Sequence, residues 1–288
     1  MVIGSDEMKY SPKEMQSILS ENEFYFKKKF GQNFIIDENI INAIIEKAEL
    51  DQECMVIEIG PGAGSLTYKL SKAVKNVLCY EIDMGLKEVL ENNLKDCSNV
   101  EIKFEDFLKA QVIDDLKNYQ YKKLYVVANL PYYITTPIIS KIIEDKIPVD
   151  RIVIMVQKEV GDRLRALPGS RDYGSLSIYI NYYFEVHKIL DVSRNVFIPK
   201  PNVDSIVVEL IKKENREMLL DENIFFQLVR DSFKQKRKTL RNNLKAYPLE
   251  VIKRVLKPYQ LDLSVRAEQL SIEIFVEIAN ELAREKND

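Results

Sequence analysis

Residues 129–132 read Asn-Leu-Pro-Tyr, and these residue types at this spacing are suited to holding a planar ring that bears an amine. The apolar run 124–128 before them predicts a buried parallel strand, and ligands of open α/β sheets lie beyond the carboxyl ends of the strands. The amide of Asn129 offers one acceptor and two donors. Pro131, which lacks an N–H, leaves nearby carbonyls available to accept, and Tyr132 adds a flat face for stacking. The segment predicts a base-binding site, although an ordinary strand-to-helix turn also favours Asn and Pro.

A glycine-rich loop after an earlier strand predicts that a ligand comes close to the backbone. The run 55–59 has the apolar character of a buried strand, residues 60–64 read Gly-Pro-Gly-Ala-Gly, and a helix is expected to begin at Ser65. Glycines at alternate positions let the backbone approach a ligand closely. No Lys-Ser or Lys-Thr pair follows, which argues against a phosphate-binding P-loop. The loop by itself fits either a nucleoside or a dinucleotide.

Carboxylates follow the next two predicted strands. The run 77–81 ends in Glu81, which can accept hydrogen bonds from both hydroxyls of a ribose. The run 100–104 is followed by Asp106, which can accept from the amino group of an adenine. The order along the chain, from the glycine loop through these two carboxylates to Asn129, fits an adenosine without a pyrophosphate. We therefore predict a nucleoside cofactor at this edge of the sheet.

The composition restricts the class of protein. The chain has 288 residues, 46% of them hydrophobic, which suffices for a sizeable core in one large domain or two ordinary ones. No apolar run approaches the ~18 residues of a membrane span, and residues 1–26 lack the apolar core of a signal peptide. Cys54, Cys79 and Cys97 show no metal-ligand spacing and fit a reducing cytoplasm. His187, the single histidine, argues against zinc deaminase and Ser-His chemistry and is expected to be an ordinary strand residue.

Basic residues are concentrated in three places, although the net charge is −3. A nucleic acid would therefore be bound by local patches rather than by a uniformly basic surface. The patches are the acid-free run with Lys234, Lys236, Arg237, Lys238, Arg241 and Lys245, the lysines 27–29, and the group Arg163, Arg165 and Arg171. A charged helix face is usually only solvated, so one patch alone is a weak indication of phosphate binding.

The pattern along the chain predicts an α/β fold followed by helices. Strand and helix signals alternate over residues 27–212, which is typical of a doubly wound sheet. Within it, the runs 177–186 and 205–211 predict two strands that pair as an antiparallel hairpin at the sheet edge. Beyond residue 212, apolar residues recur at helical spacing. We expect an N-terminal extension over 1–26, the α/β catalytic domain over 27–212, and a smaller helical domain over 213–288.

Seven motifs, in order, resemble those of the ribosomal RNA adenine dimethyltransferases, and the match is best with the bacterial small-subunit enzymes. The motifs occupy residues 30–34, 58–62, 129–134, 155–160, 173–177, 197–205 and 237–244. The resemblance implies a Rossmann-like methyltransferase sheet with a smaller C-terminal helical domain. It also implies S-adenosylmethionine as methyl donor, without a metal, and transfer of two methyl groups to the exocyclic amine of each of two adjacent adenosines near the 3′ end of small-subunit RNA.

The resemblance assigns roles to individual positions. Those expected to bind the cofactor are Asn33, Ile35, Gly60, Glu81, Asp106 and Asn129. Asn129 and the carbonyl of Pro131 would also accept hydrogen bonds from the target amine. Tyr132 and Phe197 would stack on the two sides of a flipped adenine, with core packing as the alternative interpretation of both rings. Tyr133 stands where many relatives have Asn, and we expect no change in chemistry from it.

The resemblance also implies a partner and leaves alternatives. The partner would be small-subunit ribosomal RNA or the precursor of the small subunit, bound by a cytoplasmic monomer through Lys234, Lys236, Arg237, Lys238 and Arg241. The main alternative is the related large-subunit enzyme of the macrolide-resistance type, which shares nearly every motif. The segment 265–271 and the acidic balance favour the small-subunit enzyme. A non-catalytic ribosome-assembly or transcription factor on the same scaffold is a second alternative, and a nicotinamide dehydrogenase is a distant third.

Overall fold

The computed structural model describes residues 32–287, and these form two compact units. The first unit combines residues 32–161 with 187–211, and the second combines 162–186 with 212–287. The second unit thus takes in a segment that the sequence pattern grouped with the sheet. The expected extension over 1–26 and the lysines 27–29 lie outside the described residues.

The strands of the described residues are mostly members of one seven-stranded sheet with the order β4-β3-β2-β5-β6-β9-β7. In chain order they are β1 (Phe34–Ile35), β2 (Cys54–Ile59), β3 (Asn76–Tyr80), β4 (Val100–Lys103), β5 (Lys123–Asn129), β6 (Arg151–Gln157), β7 (Phe184–Val192), β8 (Phe197–Ile198) and β9 (Ser205–Lys212). Strands β2 to β6 pair in parallel, and β9 is antiparallel to β6. The short strands β1 and β8 form a separate antiparallel pair.

Helices connect these strands and make up most of the second unit. Within the described residues they are α1 (Glu38–Lys47), α2 (Ser65–Ala73), α3 (Lys87–Asn93), α4 (Val112–Leu116), α5 (Thr135–Glu144), α6 (Lys158–Leu164), α7 (Ser175–Tyr183), α8 (Glu222–Ser232), α9 (Leu240–Asn243), α10 (Leu249–Leu256) and α11 (Ile272–Asn287). None of the helices within residues 32–287 is long and apolar enough to cross a lipid bilayer.

The centre of the sheet is buried on both faces, which explains why its strands are continuous apolar runs. Every residue of β2 is buried, as are the five central residues of β5 and β6. The register brings the carboxyl ends of the strands together. Ile59 lies opposite Tyr80, and Tyr80 lies opposite Lys103. The residues that follow β2, β3 and β4 therefore meet at one edge of a rigid sheet.

The predicted strands 55–59, 77–81, 100–104 and 124–128 are confirmed, with small differences at their ends. The predicted helical spacing after residue 212 is confirmed too. Phe225, Leu228 and Val229 are the buried side of α8, and Ile274, Ile278 and Leu282 are buried in α11.

The strand predicted over 177–186 is wrong. This stretch contains helix α7, and strand β7 begins only at Phe184. Tyrosine favours strands, but Tyr179, Tyr182 and Tyr183 recur at helical spacing and pack against the phenylalanines of α8. Packing of this aromatic face overrides the local preference. The edge pairing itself holds, because β7 lies next to β9, and His187 is a strand residue as expected.

Candidate active site

A cavity of about 350 Å³ opens at the carboxyl ends of the parallel strands of the first unit. Its volume lies in the range typical of ligand sites. The seven residues below were assigned from sequence to the cofactor or to the target amine, and all of them line this cavity: Asn33, Ile35, Gly60, Glu81, Asp106, Asn129 and Pro131. The structure thus brings together groups that are up to 98 positions apart (from Asn33 to Pro131) in the sequence.

The glycine loop lines the cavity with backbone atoms of Gly60 and Gly62. Gly60 and Gly62 have φ angles of +73° and +62°, which favour glycine over other residues. A Cβ on Gly60 would have no atom within 4 Å, so the cavity has open space at that position. A Cβ on Gly62 would lie 2.7 Å from ring carbons of Phe34. The loop therefore fits a ligand that rests on the backbone at Gly60, while Phe34 covers it at Gly62.

Glu81 lies directly after β3 and is 4% exposed. Its Oε1 accepts from the N–H of Asp83 at 2.8 Å, and its Oε2 accepts from the N–H of Gly62 at 3.3 Å. Burial raises the pKa of Glu81 to about 7, against the lowering effect of these N–H donors. A carboxylate has about four acceptor sites, so a fixed Glu81 can still accept from two ribose hydroxyls.

Glu58 is a second buried carboxylate in the wall of the cavity, and sequence reasoning gave it no role. It lies in β2, and the Cys79 Sγ donates to its Oε2 across a distance of 3.7 Å. Burial raises the pKa of Glu58 to about 8. A signal was present in the sequence, because Glu58 is the one charged residue in the otherwise apolar run 54–59.

Asp106 stands in the turn after β4. Its Oδ1 accepts from the N–H of Leu108 at 3.0 Å, which fixes the side chain at the cavity wall. Asp106 is only half-buried. Lys109 Nζ lies 4.0 Å from Oδ2. The carboxylate keeps acceptor capacity for an amino group such as that of adenine.

Asn129 is the last residue of β5, and its amide is oriented by the chain opposite. Its Nδ2 donates to the backbone carbonyl of Asn33 at 2.8 Å. A carbonyl can only accept, so this contact determines which end of the amide is nitrogen. The amide oxygen is then the acceptor that Asn129 offers to a ligand amine. The carbonyl of Pro131 accepts from the N–H of Ile134 at 3.2 Å and retains a second lone pair.

The two rings assigned to base stacking do not line the cavity. Tyr132 is half-buried, and its hydroxyl lies 2.8 Å from the Oγ of Ser205. Phe197 is 2% exposed, pairs with Ile35 and belongs to the buried core cluster that also contains Met155. A ring this buried has no face to offer a base, so stacking by Phe197 stays a prediction that requires the packing around it to open. Tyr133 instead lines the cavity and is 57% exposed.

The predicted basic patch of the second unit lies on its surface. All of its basic residues are exposed, four of them between α8 and α9 and the last one in α9: Lys234, Lys236, Arg237, Lys238 and Arg241. Lys236 Nζ donates to the carbonyl of Arg171, which belongs to the same unit. The basic run 234–245 and the arginine group that includes Arg171 are therefore neighbours, which the sequence alone did not show. Among the described residues, no group of three His, Cys, Asp or Glu side chains is arranged to hold a metal ion.

Comparison with known proteins identifies the family of this chain. A family model described as "Ribosomal RNA adenine dimethylase" matches residues 23–284. A ribosomal RNA small subunit methyltransferase A from Bacillus cereus is 46% identical over 286 residues, which cover 96% of this chain and 98% of that protein.

Two solved structures share the fold over most of the chain. A dimethyladenosine transferase from Plasmodium falciparum superposes with a TM-score of 0.74 at 25% identity, covering 88% of this chain and 98% of that one. The 23S rRNA methyltransferase ErmE gives a TM-score of 0.66 at 25% identity, covering 87% and 99%. The match of the family model over nearly the whole chain, together with a cavity lined by every predicted cofactor residue, shows that this chain belongs to the ribosomal RNA adenine dimethylases, which are S-adenosylmethionine-dependent enzymes.

Proposed function

We propose that this protein transfers two methyl groups from S-adenosylmethionine to the N6 amine of each of two adjacent adenosines near the 3′ end of small-subunit ribosomal RNA. The observation that carries the proposal is the oriented amide of Asn129, held by the carbonyl of Asn33 in the same cavity as the glycine loop and Glu81. An oriented amide oxygen, able to accept from an amine, in a cavity that fits an adenosine supports the proposal. It is the arrangement expected for methylation of an adenine amine.

The main task of the protein in this reaction is to align the adenine amine with the methyl group of the cofactor. When bound, S-adenosylmethionine supplies a methyl group that is already electrophilic, and an adenine amine is a weak nucleophile because its lone pair is delocalised into the ring. The amide oxygen of Asn129 and the carbonyl of Pro131 can each accept one hydrogen of the amine, which favours a tetrahedral nitrogen with its lone pair directed outward. Holding reactants in such alignment is worth ~7–11 kcal/mol of the barrier. Water can accept the proton that the amine loses.

The target base must leave its stack to reach the cavity, which costs a few kcal/mol. Stacking on an aromatic side chain offsets about 1–3 kcal/mol of that cost. Tyr133 presents an exposed ring at the cavity, whereas Tyr132 does not line it and its hydroxyl is hydrogen-bonded to Ser205. We propose that Tyr132 and Phe197 stack on the flipped adenine, as the sequence predicts. This requires that the ring of Phe197 become exposed when the base binds.

The relatives favour the small subunit over the large subunit as the substrate. The small-subunit enzyme from Bacillus cereus is 46% identical, and the 23S rRNA methyltransferase is 25% identical. We further propose that the enzyme acts as a cytoplasmic monomer on a precursor of the small subunit. The three thiols of Cys54, Cys79 and Cys97 are unpaired and buried, as is usual for proteins of a reducing compartment.

The test is methylation of purified small subunits that lack the mark, followed by mass mapping of the modified nucleotides. We expect two adjacent dimethyladenosines near the 3′ end of the RNA, and no modification of large subunits treated in parallel. Modification of an adenosine in large-subunit RNA alone would transfer the assignment to the macrolide-resistance type. Binding of small subunits without any methyl transfer would favour a non-catalytic assembly factor.

A further inference from the structure

We propose that the hydrogen bond between Gln32 and Asp83 is a latch that keeps the segment 32–36 closed over the cofactor cavity and thereby sets the rate of cofactor release. Gln32 Nε2 donates to Asp83 Oδ2 at 2.8 Å, across 51 positions of sequence. Both are positioning residues in this proposal, because they act through the groups that touch the cofactor. The proposal deepens the assigned activity and rests on it only for the identity of the cofactor.

The segment 32–36 crosses the cavity and is attached at several points. The carbonyl of Asn33 accepts from Asn129, and the ring of Phe34 lies against Gly62 of the glycine loop. At its far end, the N–H of Ile36 donates to the carbonyl of Val196 at 2.9 Å. These contacts hold Asn33, Phe34 and Ile36. The bond from Gln32 to Asp83 adds an attachment to the turn that follows Glu81.

Asp83 is well placed to act as the fixed half of a latch. It is 2% exposed, and its Oδ1 accepts from the N–H of Gly85 at 3.0 Å, so its side chain is held in one orientation. Its own N–H donates to Glu81 Oε1 at 2.8 Å. One residue, Asp83, therefore connects Gln32 to Glu81, the carboxylate assigned to the ribose. Closure of the segment and the position of Glu81 are coupled through Asp83.

The consequence concerns how the cofactor leaves. Gln32, Asn33 and Phe34 all line the cavity, so a cofactor held there would be enclosed by this segment. Opening this side requires the bond from Gln32 to Asp83 to break, together with the bond from Asn129 to Asn33. A weaker latch raises the population of the open segment and hence the dissociation rate of the cofactor. The same opening breaks the hydrogen bond that orients the amide of Asn129, so it also lowers the rate of methyl transfer.

The test uses a charge swap that breaks the latch and then restores it. Gln32→Glu places one carboxylate against another and breaks the bond. Asp83→Asn alone retains an acceptor for Gly85, and the amide of Gln32 can turn so that its oxygen accepts from the new amide. In the double variant Gln32→Glu with Asp83→Asn, the carboxylate accepts from the amide and the bond is restored. The control is Gln52→Glu, the same change at an exposed glutamine that donates to the Lys72 carbonyl.

The measurement is the dissociation rate of S-adenosylhomocysteine and of S-adenosylmethionine from the full chain, by stopped-flow displacement without RNA. We expect Gln32→Glu to speed dissociation about tenfold, a size usual for coupling within one hydrogen-bond network. Asp83→Asn, the double variant and Gln52→Glu should stay within about threefold of the parent protein.

Two outcomes would overturn the latch. One is an unchanged rate in Gln32→Glu, and the other is a double variant that dissociates as fast as Gln32→Glu. Thermal melting of each variant separates loss of the latch from loss of the fold, and Gln32→Ala provides a second break if Gln32→Glu unfolds. Failure of the proposed function is seen separately, as a parent protein that binds cofactor with the expected kinetics but does not methylate small subunits.

Discussion

At the scale of single residues, the cavity depends on polar side chains that are oriented by backbone groups. The amide of Asn129 is set by the carbonyl of Asn33, and the carboxylate of Glu81 is set by the N–H groups of Asp83 and Gly62. Backbone groups within a packed segment do not reorient easily. The polar groups are therefore held in place before a ligand arrives, which reduces the entropy lost on binding.

The role of Asn129 is tested by Asn129→Ala. The variant loses the acceptor for the target amine and one tie to the segment 32–36, but it keeps the glycine loop and Glu81. We expect methyl transfer to small subunits to fall by roughly 100-fold or more, with cofactor affinity reduced far less. Radiolabel transfer and titration calorimetry measure the two effects. Asn118→Ala, at an exposed position, is the control, and normal dimethylation by Asn129→Ala would refute the assignment.

The buried Glu58 makes stability depend on pH. Burial raises its pKa from 4.5 to about 8 in the folded chain. The folded state therefore binds more protons than the unfolded state at intermediate pH. The contribution of neutral Glu58 to the free energy of unfolding is fully present below pH 4.5. It is lost as the pH rises through about 8, where the folded state must bury a charged carboxylate. At 1.36 kcal/mol per unit, the loss is on the order of a few kcal/mol.

Urea unfolding of the cofactor-free protein at several pH values tests this dependence. We expect the free energy of unfolding of the parent to decrease between about pH 5 and pH 8. Glu58→Gln, which cannot ionise, should show a flatter profile, with a remaining slope from Glu81, whose pKa is about 7. If the variant and the parent lose stability in parallel over this range, Glu58 is not the group responsible.

At the scale of elements, the site depends on how closely the segment 32–36 approaches the glycine loop. The positive φ angles of the loop and the ring of Phe34 over Gly62 leave no room for a side chain there. The strand pair β1 and β8 fixes this approach, because Phe34 lies opposite Ile198 in its register. The pairing of the two short strands β1 and β8 therefore positions the Phe34 ring that covers the glycine loop.

Gly62→Ala should displace this cover. Its Cβ would meet ring carbons of Phe34 at 2.7 Å, so the ring or the loop must move, and we expect cofactor affinity to fall about tenfold or more. Gly169→Ala is a matched control, since Gly169 also has a positive φ, of +83°, but has open space around a Cβ. Both changes should cost about 1 kcal/mol or more of stability. Equal cofactor affinity in the two variants would show that the approach to Phe34 is unimportant.

At the scale of the whole molecule, the chain divides its residues between a cavity unit and a basic unit. The cofactor residues all belong to the first compact unit, and the exposed basic residues between positions 234 and 241 belong to the second. The net charge of −3 means that the basic run is a local feature of one surface. Binding of RNA and binding of the cofactor should therefore be separable by mutation.

Reversing Lys236, Arg237 and Lys238 to Glu should weaken binding to small subunits and leave cofactor affinity unchanged. Each lost phosphate contact reduces the salt dependence by about 0.7–0.9, so the slope should flatten by roughly 2–3. Filter binding at several salt concentrations measures both quantities. Reversing the exposed Lys253, Lys257 and Lys286 of the same unit is the control for charge alone. Parent-like affinity and slope in the first variant would show that the RNA lies elsewhere.

The sequence by itself determined the sheet and the position of its ligand edge. Buried parallel strands must be continuous apolar runs, so they can be found without tertiary information, and the residues that follow them must gather at one edge. Gly60, Glu81, Asp106 and Asn129 could therefore be assigned from their positions alone, and all of them line one cavity.

Only the tertiary structure decided which partners these residues have and which rings reach the cavity. The bonds from Gln32 to Asp83 and from Asn129 to Asn33 join segments distant in sequence, and no local pattern specifies them. The same holds for Phe197, whose burial depends on what packs over it. Residues 175–183 have the composition of a strand but form helix α7, because aromatic packing against α8 overrides local preference. Periodicity reports which face of an element is buried, but long-range packing decides what it is buried against.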